Sequence, residues 1–160
     1  MRSFRSKYNI PPHVGVRYAA QDKWYDERKT NKVVIPMIAF IEGGMTIPMS
    51  TLTRNYLKYF KLSPTQCAPN MFRVLGCIEA LNERMNLNLT HYDINWIYNL
   101  QHLKKQGYYL KPRHAEITLI QCLPVSNKEL KEDFLIFSGQ WHDGLPCPVK
   151  EGKPGGKLTI

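Results

Sequence analysis

The sequence lacks cysteine pairs at metal-ligand spacing, glycine-rich phosphate loops and apolar runs of membrane-spanning length. Its four cysteines, Cys67, Cys77, Cys122 and Cys147, are scattered. The nearest approach to a cluster is Cys122, His142 and Cys147, with Cys67, Cys77 and His91 more remote. Zinc sites usually carry ligand pairs about two to four residues apart. His142 and Cys147 stand five apart on a stretch broken by Pro and Gly, so ordinary thiols are expected. None of GxxxxGK[ST], GxGxxG and GxSxG occurs, which removes the phosphate-cradling loops and the strained nucleophile turn. The longest apolar stretch, Val33 to Ile41, falls far short of the ~20 residues of a spanning helix, and no membrane partner is expected. The N-terminus MRSFRSKYNI has charge but no apolar core, so a secretory leader is not expected. The expected setting is intracellular with reduced thiols, nucleus and cytoplasm being equally compatible.

Acidic residues are also scarce. Thirteen Asp and Glu face twenty-two Lys and Arg, for a net charge of +9 and a pI near 9.4. Asp26-Glu27 lies in a basic segment, Glu132-Asp133 precedes a strand, and Asp93 reads as a helix cap. No three acids fall at a spacing that builds a nuclease or integrase centre. A thiol nucleophile could pair Cys77 with His91 or His102, but Cys77 on an apolar helix face reads as core. The expectation is therefore no enzyme, with no catalytic, cofactor-binding or metal residues. The positive excess favours an acidic partner, DNA or RNA first, and equally fits a soluble domain with a basic surface.

One hundred and sixty residues with 43% hydrophobic content suffice for one domain with a real core. The pattern divides into a basic lead-in (1–32), a globular domain (33–140) and a Gly/Pro-rich tail or linker (141–160). The lead-in reads in two ways. It is either a nucleic-acid arm, with Arg2, Arg5, Lys7, Arg17, Lys23, Arg28, Lys29 and Lys32 near Tyr8 and Trp24, or a flexible extended segment lying partly on the domain.

Val33 to Ile41 predicts a short buried element, helical from near Pro36 and ended by Gly43-Gly44. Ser50 caps a helix whose apolar stripe is Leu52, Tyr56 and Tyr59/Phe60, with Arg54, Lys58 and Lys61 on other faces. Ser63-Pro64-Thr65-Gln66 is a helix start, and Pro69-Asn70 restarts the chain into a helix to Met85. Thr90 with Asp93 opens another to about Lys104, with Ile94, Ile97, Tyr98 and Leu103 inward. From Gly107 to Gly139 the pattern reads strand (108–111), turn (Pro112 to His114), strand (115–123, ended by Pro124), helical turn (Ser126 to Glu129) and strand (133–137). The expected fold is α+β, about four helices in an N-terminal bundle followed by a small, mostly antiparallel three-stranded sheet.

The order of several short pieces resembles a known family. Ile10-Pro11 is followed by Glu42-Gly43-Gly44-Met45 and Ile47-Pro48. Next come Tyr59 to Gln66 (YFKLSPTQ), Ala68-Pro69-Asn70 and Phe72-Arg73-Val74-Leu75. Gly107-Tyr108-Tyr109, Leu123 to Lys128 (LPVSNK), Phe134 to Gly139 (FLIFSG) and Trp141 close the series. Together they resemble the plant gypsy-type transposon domain of the gag-like region of plant long-terminal-repeat elements, from about residue 8 to residue 145. The resemblance implies a non-enzymatic, gag-like module that self-associates, joins another element-encoded protein or binds nucleic acid. It supplies no catalytic residues. A second reading is a winged helix, with the helix at 91–104 as reader, the turn at 112–114 as wing, and Lys104, Lys105, Lys111 and Arg113 on phosphates. Arg2, Arg5 and Lys7 are the further candidate contacts. A thiol or zinc enzyme is the third.

Overall fold

In a computed structural model the described residues are 2–20, 32–103, 107–123, 133–139 and 141. Several expectations lie outside them: Lys23, Trp24, Asp26, Glu27, Arg28, Lys29, Lys104, Lys105, the 126–129 turn, His142, Cys147 and the 142–160 tail. The elements run α1 (Arg2–Lys7), β1 (Val14–Ala20), β2 (Lys32–Pro36), α2 (Met37–Ile41), α3 (Thr51–Tyr59), a 3₁₀ turn (Pro64–Gln66), α4 (Pro69–Met85), α5 (His91–Ile97), β3 (Tyr98–Leu103), β4 (Gly107–Pro112) and β5 (Asp133–Gly139). The fold is α+β, but its strands assemble differently from the expected sheet.

The main sheet has the order β1-β5-β2, antiparallel throughout. β5 lies between two strands from the N-terminal part of the chain. Leu135 and Phe137 face the principal core, while Phe134 and Ile136 join Ala19 and Val34 in a second cluster on the opposite face. A strand buried on both faces reads as an unbroken apolar run, which is what Phe134-Leu135-Ile136-Phe137 is.

Residues of the expected lead-in are thus structural. Residues 14–20 form β1, and α1 with the turn after it lays Phe4 and Tyr8 against Phe40 of α2, at 5.5 and 5.6 Å between ring centroids. Phe40 in turn stacks on Phe137 at 5.4 Å. Residues 33–35, the part of the expected buried element ahead of its helix, belong to β2, and the helix follows Pro36 as its start signal indicated.

Two other expectations are corrected. The helix from Thr90 ends at Ile97, and residues 98–103 form β3, paired with β4 from Tyr98↔Pro112 to Leu103↔Gly107. Ile94 and Tyr98 fit a helical stripe, but Tyr98 and Leu100 also fit a strand face, and the hairpin ladder decides between the two periods. Ala115 to Leu123 forms no strand. Both neighbouring positions of β5, the strand it was expected to pair with, are taken by β1 and β2. Ile120 and Leu123 rest on the core, while Ile117 and Leu119 stay exposed.

α4 is the scaffold. Pro69 occupies its first turn, Met71, Phe72, Val74, Leu75 and Ile78 are buried, and Asn86 ends it in the left-handed conformation at φ 51°. Its N-terminal turn also completes the hairpin. The backbone N–H of Ala68 donates to the Tyr108 carbonyl at 2.7 Å. The buried Asn70 side chain donates from Nδ2 to the Leu110 carbonyl at 2.9 Å and accepts from the Leu110 N–H at 3.4 Å. Gly43 lets α2 meet this helix: a Cβ there would stand 2.4 Å from the Ala39 carbonyl and 3.0 Å from that of Pro69. Trp141, in the expected tail, is only 2% exposed and joins the core.

Asn70→Ala strands both polar groups of Leu110 in a buried site. A loss of about 2–4 kcal/mol in urea-unfolding free energy is expected, and Asn70→Asp should not rescue it, because a carboxylate cannot donate to the carbonyl.

Candidate nucleic-acid interface

The C-terminal end of α3 and the short helix α5 build an aromatic surface. Along α3, Leu52, Tyr56 and Leu57 are buried, and Ser50 caps the helix by accepting the Thr53 N–H at 3.1 Å. Arg54, expected on an outer face, is buried as well. That inward face leaves Tyr59 half-exposed at the last turn. Its ring lies 4.9 Å from Phe60, 4.8 Å from His91 and 5.6 Å from Tyr92, between centroids. His91 and Tyr92 are 4.1 Å apart.

α5 owes its placement to five hydrogen bonds and one buried side chain. Thr90 donates from its backbone N–H and its hydroxyl to Asp93 Oδ2, at 2.7 and 2.8 Å. These two bonds, the backbone one foremost, hold the Asp93 carboxyl below its ordinary pKa. The Tyr56 hydroxyl donates to Asn95 Oδ1 at 3.4 Å, tying α5 to α3. At the far end Arg113 Nε donates to the Asn95 carbonyl at 2.7 Å and the Arg113 N–H to the Ile97 carbonyl at 2.8 Å. Ile94 points inward at 1% exposure. Tyr92 and Trp96 therefore share the outer face, one turn apart, and Trp96 is 81% exposed. A tryptophan that exposed contributes nothing to the core. Lys58 and Lys61, both exposed, bracket Tyr59 in the chain.

The expected contact residues fall in separate places. Lys104 and Lys105 are outside the described residues. Lys111 is exposed on β4 opposite Asn99. Arg113 is exposed but its guanidinium serves the C-terminal carbonyls of α5, where a cation meets the negative end of the helix. Arg2 is exposed on α1. Arg5 donates to the carbonyls of Pro11, Pro12 and Val14 at 3.0, 3.2 and 2.6 Å, which folds the turn into β1. Lys7 stands over the Tyr8 ring at 5.4 Å. Among the described ones, Arg113 alone touches the aromatic surface, through α5.

The candidate thiols are dispersed too. Cys67 is buried and donates to the Ser63 carbonyl at 3.3 Å, and burial pushes its thiol far above the ordinary range, as it does the Tyr56 hydroxyl. Cys77 and His91 line different hollows. His102 packs on Tyr108 at 4.6 Å. Among the described residues no three His, Cys, Asp or Glu converge as a metal site would require.

Comparison with family models, curated proteins and solved structures finds no match to this chain. Sequence reasoning missed Tyr59, Tyr92 and Trp96 as a surface. The available signal was Trp96, an aromatic that falls off the Ile94-Ile97-Tyr98 stripe of its own helix.

The cap sets a pH dependence. Because the folded Asp93 carboxyl titrates below its unfolded value of about 4, its contribution is complete above that pH and is lost as pH falls through the folded value. Asp93→Asn should lower the urea midpoint at pH 7, by the equivalent of about 1 kcal/mol or less at this solvent-screened position. The gap from the parent chain should narrow as pH falls through the folded value, and a gap that does not vary with pH would show the carboxylate is not its source.

Proposed function

We propose that the chain is a non-enzymatic, gag-like module of plant retrotransposon origin that binds single-stranded nucleic acid on the Tyr59–Tyr92–Trp96 surface. The observation that carries this reading is Trp96, 81% exposed on the same helix face as Tyr92. Rings held outward by a braced helix are stacking platforms, and every base offers them a π-face. Lys58 and Lys61 supply cations for phosphates, and the net charge of +9 draws a polyanion from a distance. A duplex keeps its bases stacked internally, so exposed rings favour single strands. The resemblance of the LSPTQ, LPVSNK and FLIFSG pieces to the gag-like plant domain supports the setting. No winged-helix reader is needed: the helix assigned to that role has seven residues and runs directly into β3.

Fluorescence anisotropy with labelled single-stranded and duplex DNA and RNA at stepped salt tests the proposal. Single strands should bind more tightly than duplexes. Trp96→Ala and Tyr92→Ala should each weaken binding about 5- to 100-fold with the salt slope unchanged, the usual effect of removing a stacked ring. Lys58→Ser and Lys61→Ser should each reduce the slope by about 0.7. Undetectable binding at low salt, or wild-type affinity in Trp96→Ala, would overturn the reading and leave a protein-docking surface.

A further inference from the structure

A hollow of about 440 Å³ opens beside the aromatic surface, between α3 and α4. Thr51 and Asn55 line one wall, Glu79 and Glu83 the other, on a ridge that also borders a second hollow, and His91 and Tyr92 stand at its end. Each wall is set by helical spacing. Thr51 with Asn55, and Glu79 with Glu83, are four residues apart and therefore share a face. The end is fixed by Asn82: its Nδ2 donates to the Leu89 carbonyl at 2.9 Å and its Oδ1 accepts the Leu89 N–H at 3.0 Å. The loop that leads into His91 and Tyr92 is thereby pinned to α4. Tyr92 belongs to both places, its ring in the exposed stack and its side chain in the wall of the hollow.

We infer that this hollow receives one base of the bound strand and selects guanine. The inference rests on the single-strand reading above. Phosphate is repelled by two carboxylates, so the part of a nucleotide that enters is the base. An ionised carboxylate only accepts hydrogen bonds and takes two parallel donors best. Guanine alone among the common bases presents two adjacent donors on one edge, N1–H and the 2-amino group. Adenine, cytosine and uracil or thymine each set a donor beside an acceptor there, which a carboxylate would oppose. Asn55 offers an amide donor on the facing wall for the guanine O6. The volume lies within the range of small-molecule sites, and His91 and Tyr92 give the base a ring to lie on.

The test is binding of a ten-nucleotide oligo(dT) and of the same strand with one central dG, dA, dC or deoxyinosine, the last lacking only the 2-amino group. The dG strand should bind about tenfold more tightly than the others, a gain of the size of one bidentate base contact, with deoxyinosine intermediate. Glu79→Gln/Glu83→Gln, with folding verified by circular dichroism, should abolish the preference and leave oligo(dT) affinity equal or higher. Equal affinity for all central bases, or a dG preference that survives the double substitution, overturns the inference while the single-strand reading stands. If oligo(dT) and the dG strand both fail to bind, the two fall together.

Discussion

One side-chain amide fixes the relation between the helical scaffold and everything that presents the candidate site. Asn70, buried at the start of α4, satisfies both backbone groups of Leu110 on β4. The neighbouring bond from Ala68 to Tyr108 extends the pairing, so the first turn of the longest helix acts as an extra edge for the β3–β4 hairpin. Hairpin, α5 and aromatic surface follow in sequence from that attachment, since α5 passes directly into β3 and is closed off by Arg113 just after β4. An apolar residue at position 70 could fill the space but could satisfy neither group, which is why a polar residue is tolerated at 5% exposure.

The aromatic surface is a local departure from burial that its surroundings support. A seven-residue helix is too short to hold itself together in water. It persists because its start is capped by Asp93, its middle is bonded by Tyr56 and pinned by Ile94, and its end is covered by Arg113. Those contacts use one side of the helix, and the other is left to Tyr92 and Trp96. Next to it, the acids of α4 give the margin of a basic protein a patch of opposite sign. Charge so divided suits a ligand that carries phosphates on one side and hydrogen-bond donors on the other.

Features governed by local chemistry were legible in the sequence. The Ser50 cap, the Thr90–Asp93 box, the Gln66 side chain returning to the Ser63 N–H, the α4 stripe and the strand at 108–111 depend on residues close in the chain, and the strand at 133–137 shows as an unbroken apolar run although its ladder partners are distant. What was not legible depends on distant partners. β1 alternates only weakly, and nothing in Val14–Ala20 announces that its partner lies beyond residue 132. Ala115 to Leu123 has strand composition, but both sides of β5 are taken by β1 and β2. The run through Tyr98 satisfies two periods, and the hairpin chose between them. For the site, the cationic residues were visible as charges, yet their tasks were not: Arg5 and Arg113 bond backbone carbonyls, which no count of positive charge discloses.

The placement of β5 bears on how the chain reaches its fold. Tyr18 bonds to Asp133 across 115 positions, and both outer strands of the main sheet are made before the strand that joins them. During synthesis β1 and β2 wait with unsatisfied edges while the whole helical portion emerges. The sheet closes as a late, long-range event whose entropic cost delays it. The helices and the β3–β4 hairpin can form in that interval, so the surface proposed to meet nucleic acid is assembled from the early-forming part of the molecule. The last strand then locks a core already half in place.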